Sequence, residues 1–266
     1  MKPPSGTRCA ATGLALAALC TFSAWPATTQ AQTRPVCDAP LDLLRFSNPL
    51  DHVARKLASH EPITIVAIGS SSTAGAGASS KAANYPSRLE AELRRHFPGQ
   101  PLKVLNRGIG GQVIRDMLKR FDAVVAAKPD LVLWQLGTNS VLRHQPVPDQ
   151  GAAIRAGLAK MRATGADVVL INPQYAPKVI NKSDAKSMLT LISAIAKQEN
   201  VELFRRFAVM KRWRDKDQLT FDVFLSPDGL HMNDWSYACM AKGLAGAIAE
   251  AATRPVVSAA AIPDLE

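Results

Sequence analysis

The segment "ITIVAIGSSSTAGAGASS", residues 63–80, decides the fold. Residues 63–69 are a short apolar run rich in β-branched side chains, which predicts a strand buried on both faces of a sheet. Gly69 ends the run, and only serine, threonine, alanine and glycine follow it. Such a segment is either a flexible linker or a stretch of backbone that passes close to a bound group and presents one hydroxyl to it.

Outside this segment, strand-like and helix-like runs alternate along the chain. The predicted strands cover residues 63–69, 102–108, 131–137, 167–173 and 201–207, and the predicted helices cover 85–97, 112–128, 149–165, 183–200 and 233–252. Strict alternation predicts a parallel sheet with helices on both faces. Because function in such folds gathers beyond the carboxyl ends of the strands, any chemical partners of the serine segment should follow other strands.

Three further blocks meet this expectation. "NRGIGG" (106–111) lies at the end of the second strand, and "GTN" (137–139) lies at the end of the third. "SPDGLH" (226–231) precedes the last helix and places Asp228 three residues before His231. The four blocks supply a hydroxyl, an Asp–His pair, an amide side chain and glycine backbone N–H groups, which are the components of acyl transfer.

The four blocks resemble those of the SGNH (GDSL-type) hydrolases, a family of esterases and lipases, and they occur in that family's order over residues 61–250. The resemblance implies a flavodoxin-like three-layer α/β/α fold with a five-stranded parallel sheet. It also implies roles for site residues: Ser71 as nucleophile, His231 as base, Asp228 as the carboxylate that orients the base, and Ser71, Gly111 and Asn139 as oxyanion donors. Ser70 departs from the family pattern, because that position usually holds aspartate.

Other readings of the serine segment fit less well. "GAGASS" lacks the third glycine of a dinucleotide-binding fingerprint, and no lysine follows it as in a phosphate-binding loop. Thr73 stands where the nucleophile elbow of an α/β-hydrolase needs glycine. Arg143 and His144 follow the "GTN" block and either line the mouth of the substrate site or are ordinary surface residues.

The resemblance predicts a serine esterase that acts on short acyl groups, such as acetyl on a carbohydrate. A lysophospholipase or lipase, or a sugar O-acyltransferase, would use the same residues and stays open. A non-catalytic glycan-binding domain on this scaffold is the alternative of another class. In each case the expected partner is a small-molecule or glycan ester, with no cofactor, and the oligomeric state is left open.

The N-terminus resembles a signal peptide. Lys2 and Arg8 precede an apolar run from Cys9 to Trp25, and Ala31 is a suitable cleavage position. We therefore expect a signal peptide over 1–31, an irregular arm over 32–60, the hydrolase domain over 61–252 and a loosely ordered tail over 253–266, with export to the periplasm or the outside. The apolar run is too short and interrupted for a stable membrane insertion.

Cleavage would leave Cys37 and Cys239 as the remaining cysteines. In an oxidising compartment the pair suggests one disulfide between the arm and the last helix, and the alternative is two buried thiols. The net charge is +10, from 32 basic and 22 acidic residues. The densest basic run, residues 205–216, is broken by apolar residues, so we expect a solvated face and no nucleic-acid partner. The scattered histidines predict no metal site.

Overall fold

The computed structural model describes residue 37 and residues 40–255. Their centre is a parallel five-stranded sheet in the order β2-β1-β3-β4-β5. The strands are β1 (Ile63–Gly69), β2 (Leu102–Gly108), β3 (Leu131–Gln135), β4 (Asp167–Ile171) and β5 (Glu202–Phe204). This order is the flavodoxin-like one, and the predicted three-layer α/β fold is confirmed.

The helices cover both faces of the sheet. They are α1 (Leu41–Leu44), α2 (Asp51–Ala58), α3 (Ser71–Ala74), α4 (Tyr85–His96), α5 (Ile114–Leu118), α6 (Phe121–Ala126), α7 (Thr138–Leu142), α8 (Gln150–Arg162), α9 (Pro177–Ile180), α10 (Ala185–Gln198), α11 (Arg206–Asp215), α12 (Phe221–Phe224) and α13 (Asp234–Thr253), with a short 3₁₀ turn over Lys81–Ala83. Every residue of β3 is buried, which is why its sequence is a continuous apolar run with a single polar exception, Gln135.

The registers bring the strand ends that carry the four blocks to one edge. Gly69 of β1 pairs with Gly108 of β2, and Ile68 pairs with Trp134 of β3. The serine segment therefore leaves the sheet between the glycine block and the block that contains Asn139. Parallel strands place all their carboxyl ends on the same side, so residues far apart in sequence meet there.

The predicted helix over 112–128 is wrong in detail, because α5 and α6 are separate helices. At the break, Arg120 donates from Nη1 to the Arg107 carbonyl at 3.0 Å and from Nη2 to Gln112 Oε1 at 2.6 Å. Phe121 then packs edge-on against Trp134, with ring centroids 5.0 Å apart. The sequence between α5 and α6 contains neither glycine nor proline. The break between the two helices instead coincides with these contacts to residues distant in the sequence.

The basic run over 205–216 also differs from the prediction. The predicted strand over 201–207 ends at Phe204, and α11 begins at Arg206. Arg206 is only 1 % exposed, so the expectation of a solvated face is wrong for this residue. It lies on the inner face of α11 with the other buried residues of that helix, Val209, Met210 and Trp213.

The segment 32–60, expected to be irregular, contains α1 and α2 from residue 41 onward. The buried Glu202 carboxylate accepts hydrogen bonds from the Ser47 N–H at 2.7 Å and the Asn48 N–H at 2.9 Å. Phe46 belongs to the same core as the sheet. The sulfur atoms of Cys37 and Cys239 form a disulfide, with Cα atoms 5.2 Å apart. Residue 37 and residues 40–60 are thus part of the folded unit.

The last helix extends one residue beyond the prediction, to Thr253. Arg254 then donates to Glu250 at 2.6 Å and to the Phe46 carbonyl at 2.8 Å, so the expectation of a loose tail is wrong for its first residues. Residues 256–266 and the predicted signal peptide, 1–31, lie outside the described residues. Among the residues that are described, no helix has both the length and the apolar character needed to cross a bilayer.

Candidate active site

The serine segment forms a tight strand-to-helix turn. β1 ends at Gly69, and Ser71 is the first residue of the short helix α3, where it is half-buried. A Cβ at Gly69 would lie 2.1 Å from Thr73 Oγ1, and one at Gly108 would lie 2.1 Å from the Ala74 nitrogen. The two strand-ending glycines are therefore required, because the Thr73 side chain packs onto the end of β1 and the backbone of α3 packs onto the end of β2.

A tight loop before α13 presents Asp228 and His231. The ends of the loop are joined by a bridge between Leu225 and Met232. Asp228 Oδ1 accepts hydrogen bonds from the backbone N–H groups of Leu230 and His231, both at 2.9 Å. These bonds hold the carboxylate in place, so the loop presents the Asp–His pair as one unit.

The structure brings this pair to the serine. His231 Nε2 lies 2.9 Å from Ser71 Oγ, and His231 Nδ1 is hydrogen-bonded to Asp228 Oδ2. Because a carboxylate can only accept, Nδ1 carries the ring proton, and Nε2 accepts from the serine hydroxyl. The three side chains form a chain of hydrogen bonds that can move the hydroxyl proton onto the imidazole.

The Asp228 carboxylate is held ionised. Desolvation alone would raise its pKa, but hydrogen bonds from the backbone and side chain of His231, the Leu230 N–H and the Ser226 hydroxyl outweigh it. The pKa of Asp228 therefore lies well below the usual range of an aspartate. An ionised carboxylate stabilises the imidazolium that forms when His231 takes a proton.

The glycine block that carries one of the predicted oxyanion donors approaches Ser71. A Cβ at Gly110 would be 4.0 Å from Ser71 Cβ, and Gly111 adopts a left-handed backbone with φ of 75°. Asn139 Nδ2 donates one hydrogen to the Gln112 carbonyl at 2.9 Å, which leaves its second amide hydrogen available. Within the described part of the chain, the Ser71 and Gly111 N–H groups donate to no other group.

The two residues predicted to line the mouth of the substrate site, Arg143 and His144, have different neighbours. Arg143 is exposed, and its guanidinium Nη2 lies 3.2 Å from where a Cβ of Gly111 would stand. Exposed His144 instead accepts a hydrogen bond from Lys182 Nζ at 2.9 Å. Arg143 thus contacts the glycine block beside Ser71, whereas His144 faces a different neighbour.

Sequence reasoning missed Gln135, the buried polar end of β3. Its Oε1 accepts hydrogen bonds from the Ser70 N–H at 2.9 Å, the Ser70 hydroxyl at 3.1 Å and the Thr73 hydroxyl at 3.3 Å. Ser70, which stands where the family usually has aspartate, is therefore anchored to the sheet. A lone glutamine in the apolar run "LVLWQLG" was the available signal.

Gly77 lies where the serine segment meets the histidine loop. Its φ is +85°, and a Cβ there would lie 2.3 Å from the Met232 carbonyl oxygen and 3.0 Å from His231 Cβ. The adjacent Ala76 carbonyl accepts a hydrogen bond from the Tyr237 hydroxyl at 2.7 Å. Gly77 therefore lets the serine segment and the histidine loop approach closely.

A buried arginine lies behind the histidine loop. Arg206 donates to the Asn172 carbonyl and to Gln174 Oε1, each at 2.9 Å, and Gln174 Nε2 donates to the Leu230 carbonyl at 3.3 Å. Desolvation by burial lowers the pKa of Arg206 to about 10. This network connects α11 to the loop that carries His231 and helps to fix the position of that loop.

No metal-binding cluster of His, Cys, Asp or Glu side chains was found in the residues that the structure covers, 37 and 40–255. The chemistry available at this edge of the sheet comes from side-chain and backbone groups: a hydroxyl, an imidazole, a carboxylate and N–H donors.

Comparison with known proteins shows the family of this chain. A sequence profile of the Non-GDSL lipase-like family matches residues 36–254. An acetylxylan esterase from Geobacillus stearothermophilus is 26% identical over 102 residues, which cover 34% of this chain and 47% of that protein, so the match spans about half of that relative. An arylesterase from Vibrio mimicus is 26% identical over 149 residues, which cover 56% of this chain and 70% of that protein.

Among solved structures, a protein of the G-D-S-L lipolytic family from Desulfitobacterium hafniense superposes with a TM-score of 0.60 at 24% identity, covering 69% of this chain and 98% of that one. A likeness at this identity shows the fold. The profile match extends over most of the chain, and it agrees with the SGNH-type resemblance of the four sequence blocks. The chain therefore belongs to the Non-GDSL lipase-like family, and its predicted identification as an SGNH-type hydrolase is confirmed.

Proposed function

We propose that this protein is an exported serine esterase that removes short acyl groups, acetyl above all, from carbohydrate through an acyl-enzyme on Ser71. The observation that carries the proposal is the 2.9 Å contact between Ser71 Oγ and His231 Nε2, with Asp228 hydrogen-bonded behind the ring. The relatives named acetylxylan esterase and arylesterase support ester hydrolysis, and the first supports an acetylated carbohydrate.

The first half of the reaction acylates Ser71. His231 Nε2 takes the hydroxyl proton as Oγ bonds to the carbonyl carbon, and the carbonyl electron pair moves onto its oxygen. The N–H groups of Ser71 and Gly111 and the Asn139 amide donate to this oxyanion. Collapse breaks the bond to the sugar oxygen, which receives the proton from His231 Nε2, and leaves the acetyl group on Ser71.

The second half releases the acid. His231 deprotonates a water molecule, which attacks the acetyl carbon, and the second tetrahedral intermediate collapses with return of the proton to Ser71 Oγ. Asp228 stabilises the imidazolium in both halves because its carboxylate stays ionised. If a sugar hydroxyl replaced water in this half, the same residues would transfer the acyl group between sugars.

Turnover of 4-nitrophenyl acetate tests the proposal. Ser71→Ala should lower kcat by several orders of magnitude, because it removes the atom that becomes acylated. Ser80→Ala is a matched control, since Ser80 is exposed on the same segment and has no role in the proposed chemistry. Equal rates for wild type and Ser71→Ala would refute a serine esterase and favour a non-catalytic binder.

Acyl length separates the esterase from a lipase. A series of 4-nitrophenyl esters from acetyl to palmitoyl should show the highest kcat/KM at the short end. Higher values for long chains would replace the carbohydrate esterase with a lipase that uses the same residues.

Export of the protein rests on the signal-peptide pattern of residues 1–31 and on the disulfide between Cys37 and Cys239, because disulfides persist in oxidising compartments. N-terminal sequencing of the mature protein should begin just after Ala31. Recovery of the uncleaved chain from the cytoplasm of the native host would contradict this part of the proposal.

A further inference from the structure

A cavity of about 390 Å³ opens beside the oxyanion donors. Its wall includes Gly110 and Gly111, and a Cβ at Gly110 would lie 4.0 Å from Ser71 Cβ. The cavity therefore lies next to the glycine block that approaches Ser71. A group attached to the alcohol part of the substrate can enter it while the acyl carbon is at Ser71.

The charges around this cavity are unbalanced. Three cations, Lys119, Arg120 and Arg143, line it together with a single carboxylate, Asp116. Asp116 Oδ1 lies 3.4 Å from Lys119 Nζ, so these two opposite charges form an ion pair. Desolvation by burial, and after it the neighbouring charge of Arg107, lowers the pKa of Arg120.

Arg120 has a structural task that occupies its guanidinium. Its Nε and Nη2 donate to Gln112 Oε1 at 3.0 and 2.6 Å, and its Nη1 donates to the Arg107 carbonyl. The backbone carbonyl of Gln112 in turn accepts a hydrogen bond from Asn139 Nδ2. Arg120 therefore supports the oxyanion block, and three of its five N–H donors are already used for this purpose.

Arg143 is different, because no hydrogen-bond or ion-pair partner of its guanidinium is found in the described residues. Its backbone is fixed by a 3.0 Å hydrogen bond from its N–H to the Asn139 carbonyl, so the side chain starts from a rigid position. A planar guanidinium with free donors is suited to bidentate binding of a carboxylate.

We propose that Arg143 and this cavity bind a carboxylate on the sugar part of the substrate, so that the enzyme prefers acetyl esters of acidic sugars. This inference rests on the proposed function. A uronic acid fits because one sugar ring carries both the acetylated hydroxyl and the carboxylate. The excess of basic residues on the whole chain favours the approach of an anionic glycan.

The test compares two substrates that differ only in the group at C6 of the sugar, which is a carboxylate in one and a hydroxymethyl group in the other. They are a monoacetylated methyl glucuronoside and a methyl glucoside that carries acetyl on the same hydroxyl, with acetate release as the readout. We expect wild-type kcat/KM to be about tenfold higher for the glucuronoside at low salt, and the preference to shrink at high salt, as for a partly exposed charge-assisted contact.

Arg143→Gln should lower this preference by about tenfold, and Arg143→Lys should retain part of it, because lysine keeps the charge and loses the bidentate geometry. Lys103→Gln is the matched control. It removes one exposed positive charge from the amino end of β2, on the opposite edge of the sheet, and should leave the preference unchanged.

Three outcomes would overturn the inference. The wild type could show no preference, Arg143→Gln could lower kcat/KM equally for both sugars, or Lys103→Gln could lower the preference as much as Arg143→Gln does. The second outcome would show that Arg143 acts on the reacting carbonyl, and the third that net charge alone attracts the substrate. If neither sugar releases acetate while Ser71-dependent turnover of 4-nitrophenyl acetate persists, the acidic-sugar inference fails and the serine esterase stands. Loss of the Ser71 dependence would instead refute the proposed function itself.

Discussion

Replacing Gly77 with alanine should uncouple the serine segment from the histidine loop. The new Cβ would stand 2.3 Å from the Met232 carbonyl oxygen, and contacts of this kind become ordinary only near 3.4 Å, so one side must retreat by about 1 Å. Met232 directly follows His231, whose Nε2 is 2.9 Å from Ser71 Oγ. A retreat of this size takes the pair beyond good hydrogen-bonding distance.

The expected effect of Gly77→Ala is a fall in kcat of about 100-fold, the scale associated with a 1 Å misplacement of a reacting group. KM should change little, because no proposed substrate contact is removed. The assay is steady-state turnover of 4-nitrophenyl acetate, accompanied by urea unfolding. Alanine with a positive φ also costs stability, about 1–2 kcal/mol.

Gly99→Ala separates the two effects. Gly99 has a similar φ of +80°, but a Cβ there would meet nothing within 4 Å. This variant should lose a similar amount of stability and keep its activity. If Gly77→Ala and Gly99→Ala lose activity equally, close packing of the two segments does not position the catalytic pair, and the reasoning is refuted.

Three other predictions concern the anchor of the turn, the triad carboxylate and the disulfide. Gln135→Leu removes the acceptor of the Ser70 hydrogen bonds and should lower the free energy of unfolding by about 1–3 kcal/mol, with a lower kcat; full activity and stability would contradict the anchoring role. Because the pKa of Asp228 is lowered by folding, its ionised form stabilises the protein fully above the ordinary aspartate pKa of about 3.9 and progressively less as the pH falls below it. The melting temperatures of wild type and Asp228→Asn should therefore differ by a constant amount from pH 5 to 7 and converge in more acidic buffer, and a pH-independent difference would exclude this linkage. Reduction of the bond between Cys37 and Cys239 should lower the melting temperature by about 5–10 °C, since loss of a native disulfide costs several kcal/mol; free thiols in the unreduced, denatured protein would show that no bridge exists.

The local sequence pattern was sufficient for the order and type of the main elements. Apolar β-branched runs and the helical repeats between them predict five strands and their alternation, because a strand covered on both faces needs an unbroken apolar sequence. The four blocks were recognisable for a related reason. Each follows a strand or precedes a helix, and parallel strands bring such ends to one edge whatever their separation along the chain.

The remaining features depend on contacts between distant residues, and only the tertiary structure decided them. Arg206 is buried because α11 turns it toward Gln174, although its neighbours in sequence suggest a solvated face. The segment 41–58 contains the helices α1 and α2, where the sequence predicted an irregular arm. The requirement for glycine at position 77 appears only when the Met232 carbonyl is placed beside it. The periodicity of apolar residues indicates which face of a helix or strand is buried. It does not indicate which atoms pack against that face, and the burial of Arg206 and the need for glycine at position 77 depend on those atoms.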